Sequence, residues 1–157
     1  MDEKKILIAF FSMTKDYSFG NTERLIKGHT EQVAEHIAEV TGGKLCRINP
    51  TEALQKEKEY HPQPLTDFET YDTVYLGYPI YYHKMPQMVT DFIESHDFSG
   101  KVIIPFSTHA GSGLGGTVEV IRYLCPDSTV KQGRAVGSAQ VQTDKTNIQK
   151  WALESLK

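Results

Sequence analysis

Cysteine is scarce in this chain: Cys46 and Cys125 are the only two, and they form neither a C-x-x-C pair nor a framework of spacings. Disulfide stapling is excluded as the source of stability, a reducing compartment fits, and both thiols are expected in the core. With no close spacing among these cysteines and the 6 histidines, a structural zinc site has no support. Long apolar runs are missing as well. The longest, Ile6 to Phe11, falls far short of the ~20 residues that cross a bilayer. It follows Lys4-Lys5 but precedes no small-residue cleavage pattern, so it reads as a first strand and not as a secretory signal, and a cytoplasmic, membrane-free protein is the expectation. Nor does charge of one sign dominate. The 17 Lys and Arg are scattered against 20 Asp and Glu, a net charge of −3, which argues against a nucleic-acid surface and falls short of a strongly acidic docking protein.

What remains is an ordinary globular composition, 39% apolar and 24% charged over 157 residues, the size of one domain covering 1–157. Lys5 to Phe11 reads as strand one. A polar segment, Ser12 to Gly28, leads to a helix over Thr30 to Val40, in which Val33, Ala34, Ile37, Ala38 and Thr41 share one face and Glu31, Glu35 and Glu39 mark the other. Gly42-Gly43 stops it. Lys44 to Asn49 gives a second strand ending at Pro50, and at most one short helix fits near Glu52 to Glu59. Tyr71 to Gly77 reads as strand three, Met88 to Ser95 as a helix, Lys101 to Ser107 as strand four and Thr117 to Leu124 as a helix. A fifth strand falls within Thr129 to Val141, and Lys145 to Leu156 closes as an amphipathic helix. Apolar strands alternating with helices imply a five-stranded parallel sheet covered on both faces, an α/β three-layer sandwich.

Ligands of such sheets bind beyond the carboxyl ends of the strands. After strand one, Gly28-His29-Thr30 opens a helix, where unpaired N–H groups and the positive dipole end suit an anion. Gly20-Asn21-Thr22 resembles a phosphate turn, but the helix after it would end at Gly28 within about two turns. After strand three, Tyr78-Pro79-Ile80-Tyr81-Tyr82-His83-Lys84-Met85-Pro86 presents adjacent aromatic rings that can stack on a planar heterocycle, with prolines stiffening the loop. After strand four, the loop from Thr108 to Gly116 exposes backbone amides beside His109 and Ser112. Gly111-x-Gly113-x-x-Gly116 matches a dinucleotide fingerprint formally, yet it follows the fourth strand and no acid stands about twenty residues on. Ala110 occupies the place of the first glycine of a nucleophile elbow. Three loops at one edge make one site with the inventory for a phosphorylated planar cofactor.

The chain resembles the flavodoxin family, whose members carry a Tyr-Pro-Ile-Trp-Trp loop, here Tyr78-Pro79-Ile80-Tyr81-Tyr82. The likeness continues through Asp91 to Lys101, through Ile104 to Gly115 and into Leu124-Cys125-Pro126. It implies the sheet order 2-1-3-4-5 and FMN at the carboxyl edge. By position, Ser12, Met13, Gly28, His29 and Thr30 would hold the phosphate. Pro79, Ile80, Tyr81 and Tyr82 would face the isoalloxazine, and Thr108, His109, Ala110, Gly111, Ser112 and Gly113 would bind its other edge. Three departures stand out: His29 in place of the family's Asn, tyrosines in place of both tryptophans, and a short segment after Pro50.

The function implied is an FMN oxidoreductase passing electrons from a nicotinamide or protein donor to quinone-like acceptors. The flavin does the redox chemistry and no catalytic side chain is needed. Lys84 and His109 are the expected cations beside the ring. A flavodoxin-type carrier, and a flavin-free binding module, stay as alternatives; oligomeric state is left open. A Cys-x5-Arg phosphatase loop after strand one is missing, as are the acids a phospho-acceptor domain needs at the ends of strands one and three.

Overall fold

The structure, a computed structural model, describes residues 4–15, 24, 25, 27–49, 65 and 67–157. The elements in order are β1 (Ile6–Phe10), α1 (His29–Thr41), β2 (Lys44–Arg47), a 3₁₀ turn (Phe68–Thr70), β3 (Thr73–Pro79), α2 (Gln87–Glu94), β4 (Val102–His109), α3 (Thr117–Leu124), β5 (Thr129–Val130), β6 (Arg134–Gly137), a second 3₁₀ turn (Ser138–Gln140) and α4 (Lys145–Glu154). The helix expected near Glu52 to Glu59 and the Gly20-Asn21-Thr22 turn lie outside the described residues.

All strands pair in parallel in the order β2-β1-β3-β4-β5, with β6 also on β4. Side chains alternate across each strand, so Leu7, Ala9, Val74, Leu76 and Ile103 face one way, under Val89, Phe92 and Ile93 of α2 and Ile121 of α3. Ile8, Phe10, Tyr75, Ile104 and Phe106 face the other, under Val33, Ala34 and Ile37 of α1 and Ile148 and Ala152 of α4. Burial on both faces explains why the strands read as nearly unbroken apolar runs. No helix of the described residues is long and apolar enough to cross a membrane.

The expected fifth strand is two short ones. β5 pairs with Val102 and Ile103, and β6 resumes opposite Phe106 to His109. The residue between is Pro105. Ile103 accepts the Lys131 N–H on that side of β4, and the two-residue period of a strand puts residue 105 on the same side, where proline has no N–H to give. Gly133 crosses the gap at φ +83°, so close that a Cβ would lie 2.5 Å from the Pro105 carbonyl oxygen. The chain therefore loses one rung and resumes, which carries the end of β6 beside the end of β4.

Strands three and four run further than their apolar content implies. β3 continues through Tyr78 to Pro79 and β4 through Thr108 to His109, held in register as Tyr78↔Ser107 and Pro79↔Thr108. Residues expected on loops thus sit on the rigid edge of the sheet.

Candidate functional site

Where β1 ends, Ser12 is fully buried. Its N–H donates to Asn49 Oδ1 (2.8 Å), and its carbonyl accepts from Asn49 Nδ2 (2.8 Å) and an Arg47 guanidinium nitrogen (2.8 Å). Asn49 thus imitates a neighbouring strand and fixes where the chain leaves the sheet. The Ser12 hydroxyl accepts the Glu31 N–H at 3.1 Å, satisfying an amide of the first turn of α1 from outside the helix. Gly28 is the N-cap, and a Cβ there would lie 2.0 Å from the Met13 carbonyl oxygen and 2.2 Å from Ser12 Oγ. Only glycine lets the helix start this near the strand end. Thr30, expected at the helix start, stands inside the helix; its buried hydroxyl meets that of Thr108 at 2.8 Å.

The acidic face of α1 is neutralised at each step: Glu31 pairs with Arg47 (3.2 Å), Glu35 with Lys27 (2.7 Å) and Glu39 with Lys145 (2.9 Å). Met13 and Lys15 lead away from β1, and Lys15 forms an antiparallel bridge with Arg24 as the chain returns toward α1.

The tyrosine segment is a tight hairpin. The Ile80 N–H donates to the Thr108 carbonyl, and Tyr81 and Lys84 exchange backbone bonds of 3.0 and 2.9 Å. Its two central residues, Tyr82 and His83, have φ of 51° and 64°, the left-handed pair of a type I′ turn that usually takes Asn-Gly. The hairpin rests on the glycine loop, since a Cβ on Gly115 would lie 2.9 Å from the His83 carbonyl oxygen. Tyr81 is 37% exposed and Tyr82 95% exposed, so Tyr81 supplies the wall and Tyr82 stands at the rim. Tyr78, by contrast, is buried, its hydroxyl bonded to Thr117 (2.6 Å), and burial raises its pKa.

At the end of β4, His109 is half-buried. Its Nδ1 accepts the Gly111 N–H at 2.9 Å, and its carbonyl accepts the Ser138 hydroxyl at 3.1 Å. Burial lowers its pKa, which disfavours the cation expected there from sequence. Beyond it the glycine loop turns away, with the Gly113 carbonyl tied to the Ser107 hydroxyl (2.9 Å).

These pieces enclose one cleft of about 440 Å³, lined by Met13, Lys15, His29, Thr30, Pro79, Ile80, Tyr81, Tyr82, Thr108, His109, Ala110 and Ser138, a size typical of cofactor sites. No carboxylate lines it among the described residues, while Lys15 and His29 bring potential positive charge. Ser12 and Gly28 shape the wall from behind, and Gly111, Ser112 and Gly113 lie outside it. Lys84, the other expected cation, does not line it either. Two contributors went unread in the sequence: Lys15, inside a polar segment without a local signal, and Ser138, which reaches the cleft only because β6 ends there. No group of three or more His, Cys, Asp or Glu suited to a metal occurs among the described residues.

The family model described as flavodoxin matches residues 56–155. The fold also matches a flavoprotein of Bacteroides eggerthii, 28% identical, TM-score 0.73, covering 98% of each chain. Flavodoxin 2 of Bacillus cereus is 19% identical with TM-score 0.65, covering 97% of each chain. A Fusobacterium nucleatum flavodoxin crystallised with flavin mononucleotide is 16% identical with TM-score 0.63, covering 96% of each chain. Among curated proteins none matches the sequence.

Proposed function

The chain belongs to the flavodoxin family, and from that premise we propose that it binds FMN in the cleft and passes electrons from a nicotinamide or protein donor to quinone-like acceptors. The observation that carries this reading is that one cleft joins the start of α1, the tyrosine hairpin and the end of β4. The residues present fit the group. Lys15, His29, Thr30 and the positive end of α1 suit a phosphate. Tyr81 offers a flat face, and the end of β4 offers a polar edge at Thr108 and His109.

Bound FMN would supply the redox chemistry. The protein's part is to hold it, to exclude water with Ile80 and Tyr81, and to set how strongly electron density is favoured on the ring. Lys15 and the positive end of α1 would balance the charge of a bound phosphate.

Reconstitution with FMN followed by steady-state oxidation of NADH and NADPH, with a benzoquinone as acceptor, tests this. Turnover with either nicotinamide is the expected result. Stoichiometric FMN without turnover, together with reduction by a ferredoxin-type protein donor, would instead mark a carrier.

A further inference from the structure

His109 is a cleft residue whose hydrogen bonding the fold fixes at both ring and backbone. Its Nδ1 accepts the Gly111 N–H at 2.9 Å. A nitrogen that accepts carries no proton, so in the uncharged ring the proton sits on Nε2. The lock depends on Gly111, whose φ of +145° lets the chain bend back onto the side chain two residues earlier. The backbone is fastened separately, because the Ser138 hydroxyl donates to the His109 carbonyl at 3.1 Å. Ser138 follows β6 directly, so the strand that resumes after the Pro105 gap also braces this residue. Ring and backbone are thus both held, and His109 lines the cleft between Thr108 and Ala110.

We propose that His109 is a potential-setting residue: its Nε2–H is a preoriented neutral donor to a carbonyl oxygen or ring nitrogen of the flavin, favouring the reduced cofactor over the oxidised one. This rests on the FMN reading above. A neutral donor strengthens its bond as the acceptor gains electron density, and preorientation spares it the reorganisation a mobile side chain would undergo. Burial disfavours the charged ring, in keeping with this state. The glycine loop then has a defined role, supplying an amide to the histidine instead of to the ligand.

Two variants separate the donor from the lock. His109→Asn keeps an acceptor for the Gly111 N–H, as an Asx-type turn, but has no donor at the position of Nε2. His109→Ala removes both. The first measurement is nitrogen-15 imidazole NMR of the wild-type protein without FMN at pH 7.5, where an unprotonated Nδ1 and a protonated Nε2 are expected; a protonated Nδ1 overturns the proposal. The second is the two-electron midpoint potential of FMN-loaded protein. Both variants should bind reduced FMN about tenfold less well relative to oxidised FMN, a fall of about 30 mV. A wild-type potential in His109→Asn overturns the proposal even if His109→Ala is too unstable to measure. Failure of the wild-type protein to take up FMN at all would sink the FMN reading, and with it the proposal, and titration of the wild type shows that separately.

Discussion

Tyr81 and Tyr82 are adjacent in sequence and unequal in place. Tyr81 is two-thirds covered while Tyr82 is almost wholly exposed at the hairpin tip. Aromatic contacts contribute about 0.5–1.5 kcal/mol beyond the area they bury. Tyr81→Ala should therefore weaken FMN binding about tenfold in a fluorescence-quenching titration, and Tyr82→Ala less than about threefold; equal losses would contradict the assignment of wall and rim. Gly28 gives a sharper test of local geometry. With the Met13 carbonyl oxygen 2.0 Å from where a Cβ would stand, Gly28→Ala should lower unfolding stability by about 1–3 kcal/mol, read from the urea midpoint. A neutral outcome would mean that α1 can start elsewhere.

Elements carry the interactions that hold the cleft open. The hydroxyl pair Thr30–Thr108 ties α1 to β4 across 2.8 Å with both residues buried. Thr30→Val should cost about 1 kcal/mol. The α1–α4 seam holds a buried histidine that the periodicity of α1 did not reveal: His36 Nε2 donates to the Val141 carbonyl at 3.0 Å, and burial lowers its pKa. An unfolded chain protonates such a group first, near pH 6.5. The stability it contributes is thus complete above that pH and falls as pH drops through the folded value. Denaturation midpoints should decline between about pH 7 and 5, and His36→Gln, which keeps a donor for Val141, should flatten the decline. The carboxyls of Glu39, Asp97 and Asp144 are held below the usual carboxylate range, by hydrogen bonds from Lys145, from the Ser99 N–H and from Asn147 respectively, and are exposed enough for salt to screen them. An unchanged profile in His36→Gln would rule out His36 as the source of the decline.

For the whole molecule, the fold was legible because burial on both faces of a parallel sheet leaves continuous apolar strands, and because Gly42 and the residues flanking α3 mark helix ends plainly. The cleft was legible only as three separate loops. Ser12 and Gly28 stand side by side, and the Ser12 hydroxyl meets the helix start at the Glu31 N–H, a contact that spacing does not reveal because a serine hydroxyl can cap backbone as readily as it can meet a ligand. Tyr78, Pro79, Thr108 and His109 were read as loop although they extend the strands, because polar residues at a strand's carboxyl end carry no apolar signal. Ser138 was invisible because its place depends on the rung lost at Pro105, and the Nε2–H state of His109 because it depends on the φ of Gly111. Each of these follows from three-dimensional proximity that spacing alone does not encode.

Above all, the cleft between α1, the tyrosine hairpin and β4 must take FMN. The most direct test is titration of the purified, flavin-free protein into FMN while following flavin fluorescence and the visible spectrum. Quenching should saturate at one FMN per chain in the micromolar range or below, with a shifted yellow chromophore and about tenfold weaker binding for Tyr81→Ala. Unquenched fluorescence and an unshifted spectrum at micromolar FMN would contradict it.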